Sequence, residues 1–296
     1  MATGITPITP TYETPYITIA EYKNAPTSID FDNLVVGGNS AAQDAELTNV
    51  IYRATSFMNE YLNQSLNATS QTEQQRTRIT PQGFIALHPN NNPVISLSSL
   101  EYGSNPNNLS TLTDCSTAWF EDQQLLIPIS SLSTNYTNQG SLALGGYGYP
   151  GAGIFVKYTY VSGFVNSTIV TATATQSTLT VANASGIQAG QTLRIWDGAS
   201  SETVIVGTGY TYGSTTVPLA SALAYTHTSG VALGNMPTVI KQACILITTA
   251  FLKVRGDSSL TMAITSRASG NVPGTQLYGS EMAIAIDMLD LYRRVR

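Results

Sequence analysis

Charge is what this sequence has least of. Only 10% of its 296 residues are Asp, Glu, Lys or Arg, against roughly 25% in an average soluble domain. Copies of such a chain repel one another weakly, which suits a subunit of an assembly. The balance is acidic, net −5, so the basic footprint that stable nucleic-acid binding needs is missing. Cysteine is scarce as well. Cys115 and Cys244 stand far apart without paired spacing, which excludes a disulfide framework or a zinc site and leaves two small buried or half-buried residues. The two histidines, His88 and His227, have no carboxylate or cysteine at ligand spacing, which argues against a metal site or a catalytic base.

Long apolar runs are also missing. The most apolar segment, Ala243 to Val254, is broken by Thr248, Thr249 and Lys253 and is too short to span a bilayer. The start, Met1 to Pro7, has neither a basic nor an apolar stretch of the secretory kind, so the expectation is a soluble protein made in the cytoplasm, with no membrane contact. Walker, nucleophile-elbow and His-Glu-x-x-His motifs are absent, and the 18 acidic residues are scattered. Gly146, Gly148 and Gly151 match the dinucleotide fingerprint by spacing, but Pro150 and the extended run from Ile154 to Val161 break the strand-to-helix context it requires. The reading is therefore of a protein that is not an enzyme and takes no cofactor or metal.

What is present is a core-forming share of hydrophobic residues, 42%, in a clear order of patterns. Thr18 and Glu21 form a capping box, so a short helix begins there and ends by Pro26. Ser40 is placed to cap a second helix of about 22 residues, with Leu47, Val50, Ile51, Ala54, Met58, Tyr61 and Leu62 on one stripe. A polar loop from Asn67 to Gln75 follows. Arg76 to Thr80 and Phe84 to Leu87, flanking Pro81 to Gly83, read as a hairpin. Val94 to Leu100, Ala118 to Glu121, Gln124 to Ile129 and Ile154 to Val161 read as strands, the last alternating Phe155, Lys157 and Thr159 against Val156, Tyr158 and Tyr160.

From Asn166 to Asn235 short β-rich runs alternate with Gly-rich turns, the texture of a compact all-β module inserted into the chain. Pro237 opens a helix carrying Val239, Ile240, Ala243, Ile247, Ala250, Phe251 and Val254, which stops by Gly256. A last helix starts near Ser280, carries Met282, Ala283, Ile286, Leu289 and Tyr292, and is expected to hold Arg293, Arg294 and Arg296 in its final turn, where the helix dipole favours cations. The fold class is α+β: a small helical bundle with hairpin and sheet elements over 1–165 and 236–296, plus an inserted β module over 166–235.

Three blocks, in this order, carry a resemblance. They are the helix Asp44 to Leu62 with its hairpin and Ala86 to Leu100; the strand Ile154 to Phe164 leading to the helix opened by Met236, Pro237 and the Ile240-Lys241 pair; and the closing Met288 to Arg296 with its aromatic and paired arginines. Together the chain resembles the head-tail connector, or adaptor, family of tailed bacteriophages, with 166–235 as the departure. The resemblance implies a structural virion protein made in the host cytoplasm and placed in the virion neck. It forms a homo-oligomeric, dodecameric ring with the portal protein above and a stopper, tail terminator or tail tube below, and DNA passes through it without specific binding. On that footing Leu289, Tyr292, Arg293, Arg294 and Arg296 are the expected portal-docking residues. Gly145, Gly146, Gly148, Gly151 and Gly153 are expected to form a mobile loop facing the channel or the tail-side partner. The alternatives are another neck or tail protein, such as a stopper or tail terminator, and a carbohydrate-binding tail protein that stacks sugars on Trp119, Trp196 or some of the 16 tyrosines.

Overall fold

A computed structural model describes residues 14–128 apart from 28, 31–33, 36, 79, 81–83, 113–114 and 122–123, then 153–254 and 279–294. The fold is α+β, as the patterning predicts, and its contacts divide it into two units. One gathers Met1–Gln64, Gly230–Ala232 and Met236–Arg296; the other gathers Ser65–Ser229 and Leu233–Asn235.

The first unit is helical. α1 (Ile19–Lys23) opens on the expected capping box, Thr18 Oγ accepting from the Glu21 amide at 3.2 Å and Glu21 accepting from the Thr18 amide at 2.8 Å. α2 (Ser40–Leu62) is capped by Asn39 and not by Ser40: the Asn39 side chain accepts from the Ala42 amide at 2.9 Å, and Ser40 is already the first helical residue. Its predicted stripe is buried at Leu47, Val50, Ile51, Ala54, Met58 and Leu62, with Tyr61 half-buried at the margin. α3 (Thr238–Val254) begins directly after Pro237 and buries Ile240, Ala243, Cys244, Ile247 and Ala250. α4 (Gly279–Leu289) packs on α3.

Two polar contacts hold α1 on α3. Glu21, already used as a cap, also takes an ion pair from Lys241, both side chains being largely covered. The fully buried Tyr22 hydroxyl meets Thr249 at 2.9 Å. A buried charge needs such a partner to be tolerated at all.

The second unit is built of strands. One sheet is centred on β7 (Gly153–Ser162), flanked by β1 (Thr69–Arg78) and β3 (Val94–Asn105), with β4 (Asn108–Thr111) beyond β3. A three-stranded sheet has the order β2 (Phe84–Leu87), β6 (Gln124–Pro128), β5 (Trp119–Glu121). Inward residues of the two sheets form one core: Ile154, Val156, Tyr158 and Tyr160 from β7 with Leu100 and Tyr102, against Ile85, Leu87, Leu125 and Ile127. The predicted alternation of β7 is therefore the alternation of its two faces.

Two expectations are corrected here. The segment read as a polar loop, Asn67 to Gln75, is mostly strand, because β1 begins at Thr69. The hairpin read across Pro81 to Gly83 does not pair its arms as a ladder. The Thr80 amide does donate to the Phe84 carbonyl at 2.8 Å, but β2 pairs with β6. The inward side chains of β1 take the place of a ladder: Thr77 donates to the Ala86 carbonyl at 2.6 Å, Gln75 accepts from the His88 amide at 3.1 Å, and Glu73 accepts from the Asn90 amide at 3.1 and 3.2 Å.

The stretch after β7 supplies a six-stranded sheet, in the order β11 (Glu202–Ile205), β10 (Thr192–Trp196), β13 (Ala232–Gly234), β8 (Asn166–Thr171), β9 (Thr178–Val181), β12 (Thr216–Pro218). The chain enters it through Gly163, at φ +107, whose amide donates to the Pro93 carbonyl at 2.8 Å. A Cβ there would lie 2.5 Å from the Asn67 carbonyl oxygen. Replacing Gly163 by Ala should lower stability by about 1–3 kcal/mol through backbone strain and displacement of the Leu66–Ala68 segment, read as a lower urea midpoint with an unchanged slope.

Candidate functional site

The end of the chain was expected to be a helical arm ending in arginines. The structure corrects its shape. α4 stops at Leu289, a 3-10 turn covers Asp290–Tyr292, and Arg293 is extended at φ −71, ψ 125. Arg293 and Arg294 therefore lie beyond the helix and are not held by its dipole. The buried stripe also turns, to Met282, Ala285 and Leu289, with Ala283 and Ile286 only half-buried.

The segment is held by the end of α2. Helix C-termini leave backbone carbonyls without partners. Here Asn63 takes the left-handed conformation, φ 56, and the Arg294 amide donates to the Leu62 carbonyl at 3.0 Å. Asn63 Nδ2 donates to the Arg294 carbonyl at 3.3 Å and Gln64 Nε2 to the Tyr292 carbonyl at 2.8 Å. The Tyr61 hydroxyl donates to Asp290, and the Arg293 guanidinium lies 4.9 Å from the Tyr61 ring centroid. Burial, followed by Asp290, raises the Tyr61 phenol above its ordinary pKa. Of the predicted docking residues, Leu289 is fully buried and anchors the segment from within; Tyr292 and Arg294 are half-buried, and Arg293 is exposed. Arg296 lies outside the described residues. Between them stands a residue the sequence did not single out: Leu291, 90% exposed.

Gly145, Gly146, Gly148 and Gly151 lie outside the described residues; Gly153 is the first residue of β7, paired with Arg78.

Two polar clusters in the strand unit escaped the sequence reading. Glu73 receives Tyr158 Oη at 3.0 Å and Tyr160 Oη at 2.5 Å, and Tyr160 Oη in turn accepts from the Asn91 amide at 3.0 Å. Burial and then contact with Glu73 push the Tyr160 phenol up to about 12, and the Tyr158 phenol higher still. The network braces the 88–93 segment against the sheet.

The second cluster surrounds His227, whose side chain is fully buried. Its Nδ1 lies 2.8 Å from Asp197 and its Nε2 2.8 Å from Glu202. Glu202 also accepts from the amides of Ala224 and Tyr225, at 3.0 and 3.1 Å. The carboxylates flank the 3-10 turn Gly198–Ser200 and pin the 224–227 segment to the β10–β11 hairpin. Burial pushes the Glu202 carboxyl upward, but the Ala224 amide, His227 and the Tyr225 amide outweigh it and hold the carboxyl below its ordinary value.

Among the described residues no group of three or more His, Cys, Asp or Glu is placed to hold a metal, and no helix is long and apolar enough to cross a membrane. Burial pushes the Cys244 thiol up to about 12, far from a thiolate nucleophile.

No family model and no curated protein matches the chain. Among solved structures, a chain from the neck of an empty GTA particle computed with C6 symmetry aligns over 95% of this chain and 95% of its own, at 14% identity and a TM-score of 0.31.

The Glu202 carboxyl gives a pH test. A carboxyl lowered by folding stabilises the fold above the unfolded carboxylate range, about pH 4.3, and this stabilisation is lost as pH falls through the folded value. The Glu202→Gln variant should be less stable than wild type at neutral pH, with the gap narrowing as pH is taken below about 4, measured by urea unfolding across the acid range.

Proposed function

We propose that this chain is a structural virion protein of the neck, a head-tail adaptor subunit that docks under the portal and joins capsid to tail around the DNA channel. The reading starts from the ordered blocks that resemble the adaptor family. In it, 1–165 and 236–296 form the adaptor core, 166–235 is an insertion, and copies close into a ring with the portal above and a stopper, tail terminator or tail tube below.

The observation that carries the docking role is the clamp at the end of α2. A 3-10 turn held by four side-chain and backbone contacts presents Leu291 almost wholly to solvent, next to the exposed Arg293. A large apolar side chain fixed in this way loses little conformational freedom on binding, and arginine beside it suits an interface.

The carbohydrate-binding alternative is less well supported. The Arg194 guanidinium lies 4.5 Å from the centre of the Trp196 ring and covers a face on which a sugar would stack. Trp119 is engaged edge-to-face with Phe84 at 4.9 Å.

The test is a portal-binding assay with Leu291→Asp, a change at an exposed position that leaves the fold intact. Affinity should fall roughly tenfold or more, and deletion of Tyr292 to Arg296 should act in the same direction. Unchanged binding of both variants would refute the docking role. In a reconstruction of the purified virion the chain should form a ring directly beneath the portal; density in fibres or baseplate would refute the adaptor reading.

A further inference from the structure

The four-stranded sheet has one face in the core and one uncovered. On the uncovered face β1 presents Ser70, Thr72, Gln74, Arg76 and Arg78, all exposed. Register places Phe155 of β7 beside Arg76, and the Arg76 guanidinium lies 5.5 Å from the Phe155 ring centroid. Lys157, one step along β7, is paired with Glu101 of β3 at 3.1 Å. Among the described residues Lys23, Arg53, Lys157, Lys241 and Lys253 each have a carboxylate partner, whereas Arg76 and Arg78, like Arg194 and Arg293, have none. In a chain so poor in charge and net acidic, two neighbouring arginines without acids, one lying on an aromatic ring, form a cationic patch.

The opposite pattern occurs on α4 and the 3-10 turn that follows it. Ile284 is 46% exposed, Asp287 is exposed three residues on, and Asp290 is exposed a further three residues on. Residues three apart share a helix face. Asp287 has no cation partner among the described residues, and Asp290 meets only Tyr61. This stripe combines one apolar side chain with two acids, the complement of Phe155 with two arginines.

We infer that the patch Arg76, Arg78, Phe155 of one copy receives the stripe Ile284, Asp287, Asp290 of the next copy. Charge complementarity selects this occupant. Duplex DNA fits less well, because two arginines and a neutralised lysine are far short of the phosphate contacts that hold a duplex. Where the two different surfaces are not reciprocated within a pair, such a contact is heterologous and propagates from copy to copy into a ring or an open chain. The inference deepens the ring reading above by naming its contact, but its test is independent of where the chain sits in a particle.

The experiment is sedimentation velocity of the full chain at low and high salt, with the double variants Arg76→Glu/Arg78→Glu and Asp287→Arg/Asp290→Arg. Wild type should self-associate at low salt and weaken as salt screens the contact. Each double variant should associate roughly tenfold or more weakly, with circular dichroism and urea midpoint unchanged for Arg76→Glu/Arg78→Glu; Asp287→Arg alone, which leaves the Tyr61–Asp290 hydrogen bond in place, should weaken association in the same direction with an unchanged midpoint. An equimolar mixture of the two variants should recover large assemblies, since each reversed surface then meets its opposite sign on the other variant. A wild type that stays monomeric at low salt, double variants that assemble like wild type, or a mixture that fails to recover would each overturn the contact. Duplex DNA binding by wild type that is lost in Arg76→Glu/Arg78→Glu would assign the patch to nucleic acid instead. Absence of the chain from the virion neck would refute the ring-adaptor role while leaving these sedimentation results untouched.

Discussion

Every ladder that joins β1 to β3 passes through β7. Its ten residues pair on one edge with β1 along their whole length and on the other edge with β3, while its inward side chains form the centre of the core shared with the three-stranded sheet. Val156, Tyr158 and Tyr160 are each paired on both edges as well as packed in that core. The same strand supplies both tyrosines that bind Glu73, so the polar bracing of the 88–93 segment is fixed from the same backbone.

With so few charges, single carboxylates take several partners. Glu21 closes a capping box and neutralises Lys241; Glu73 receives two phenols and a backbone amide; Glu202 receives an imidazole and two backbone amides. Each of these acids joins segments distant in sequence. Arg76, Arg78 and Asp287 are among the surface charges that no opposite charge neutralises.

The helices and most strands were legible because their apolar residues recur at the period of the element that buries them. β1 was not. Thr69–Arg78 contains no hydrophobic residue, and its inward positions are filled by Glu73, Gln75 and Thr77, whose hydrogen bonds do the holding that apolar burial does elsewhere. A pattern search based on hydrophobic period has nothing to detect in such a strand. The end of α4 was misread for a related reason: Tyr292 continues the helical spacing, but Arg294 is drawn out of the helix by the unpaired carbonyl of Leu62, a partner more than 200 residues away. Asp197, Glu202 and His227 likewise meet only through the folding of a hairpin against a later segment. The basic, aromatic character of the C-terminal segment was readable; which residue it exposes was not, because Leu289 and Leu291 look equivalent in sequence and differ only by the turn that buries one and projects the other.

Both tryptophans of the chain, Trp119 and Trp196, belong to the strand unit, and none lies in the helical unit. Indole fluorescence is consequently a reporter of one half of the molecule. Far-ultraviolet dichroism, dominated by α2 and α3, reports on the helical unit. Superimposable melting curves from the two signals would mean that the units unfold as one; separated curves would give each unit its own stability.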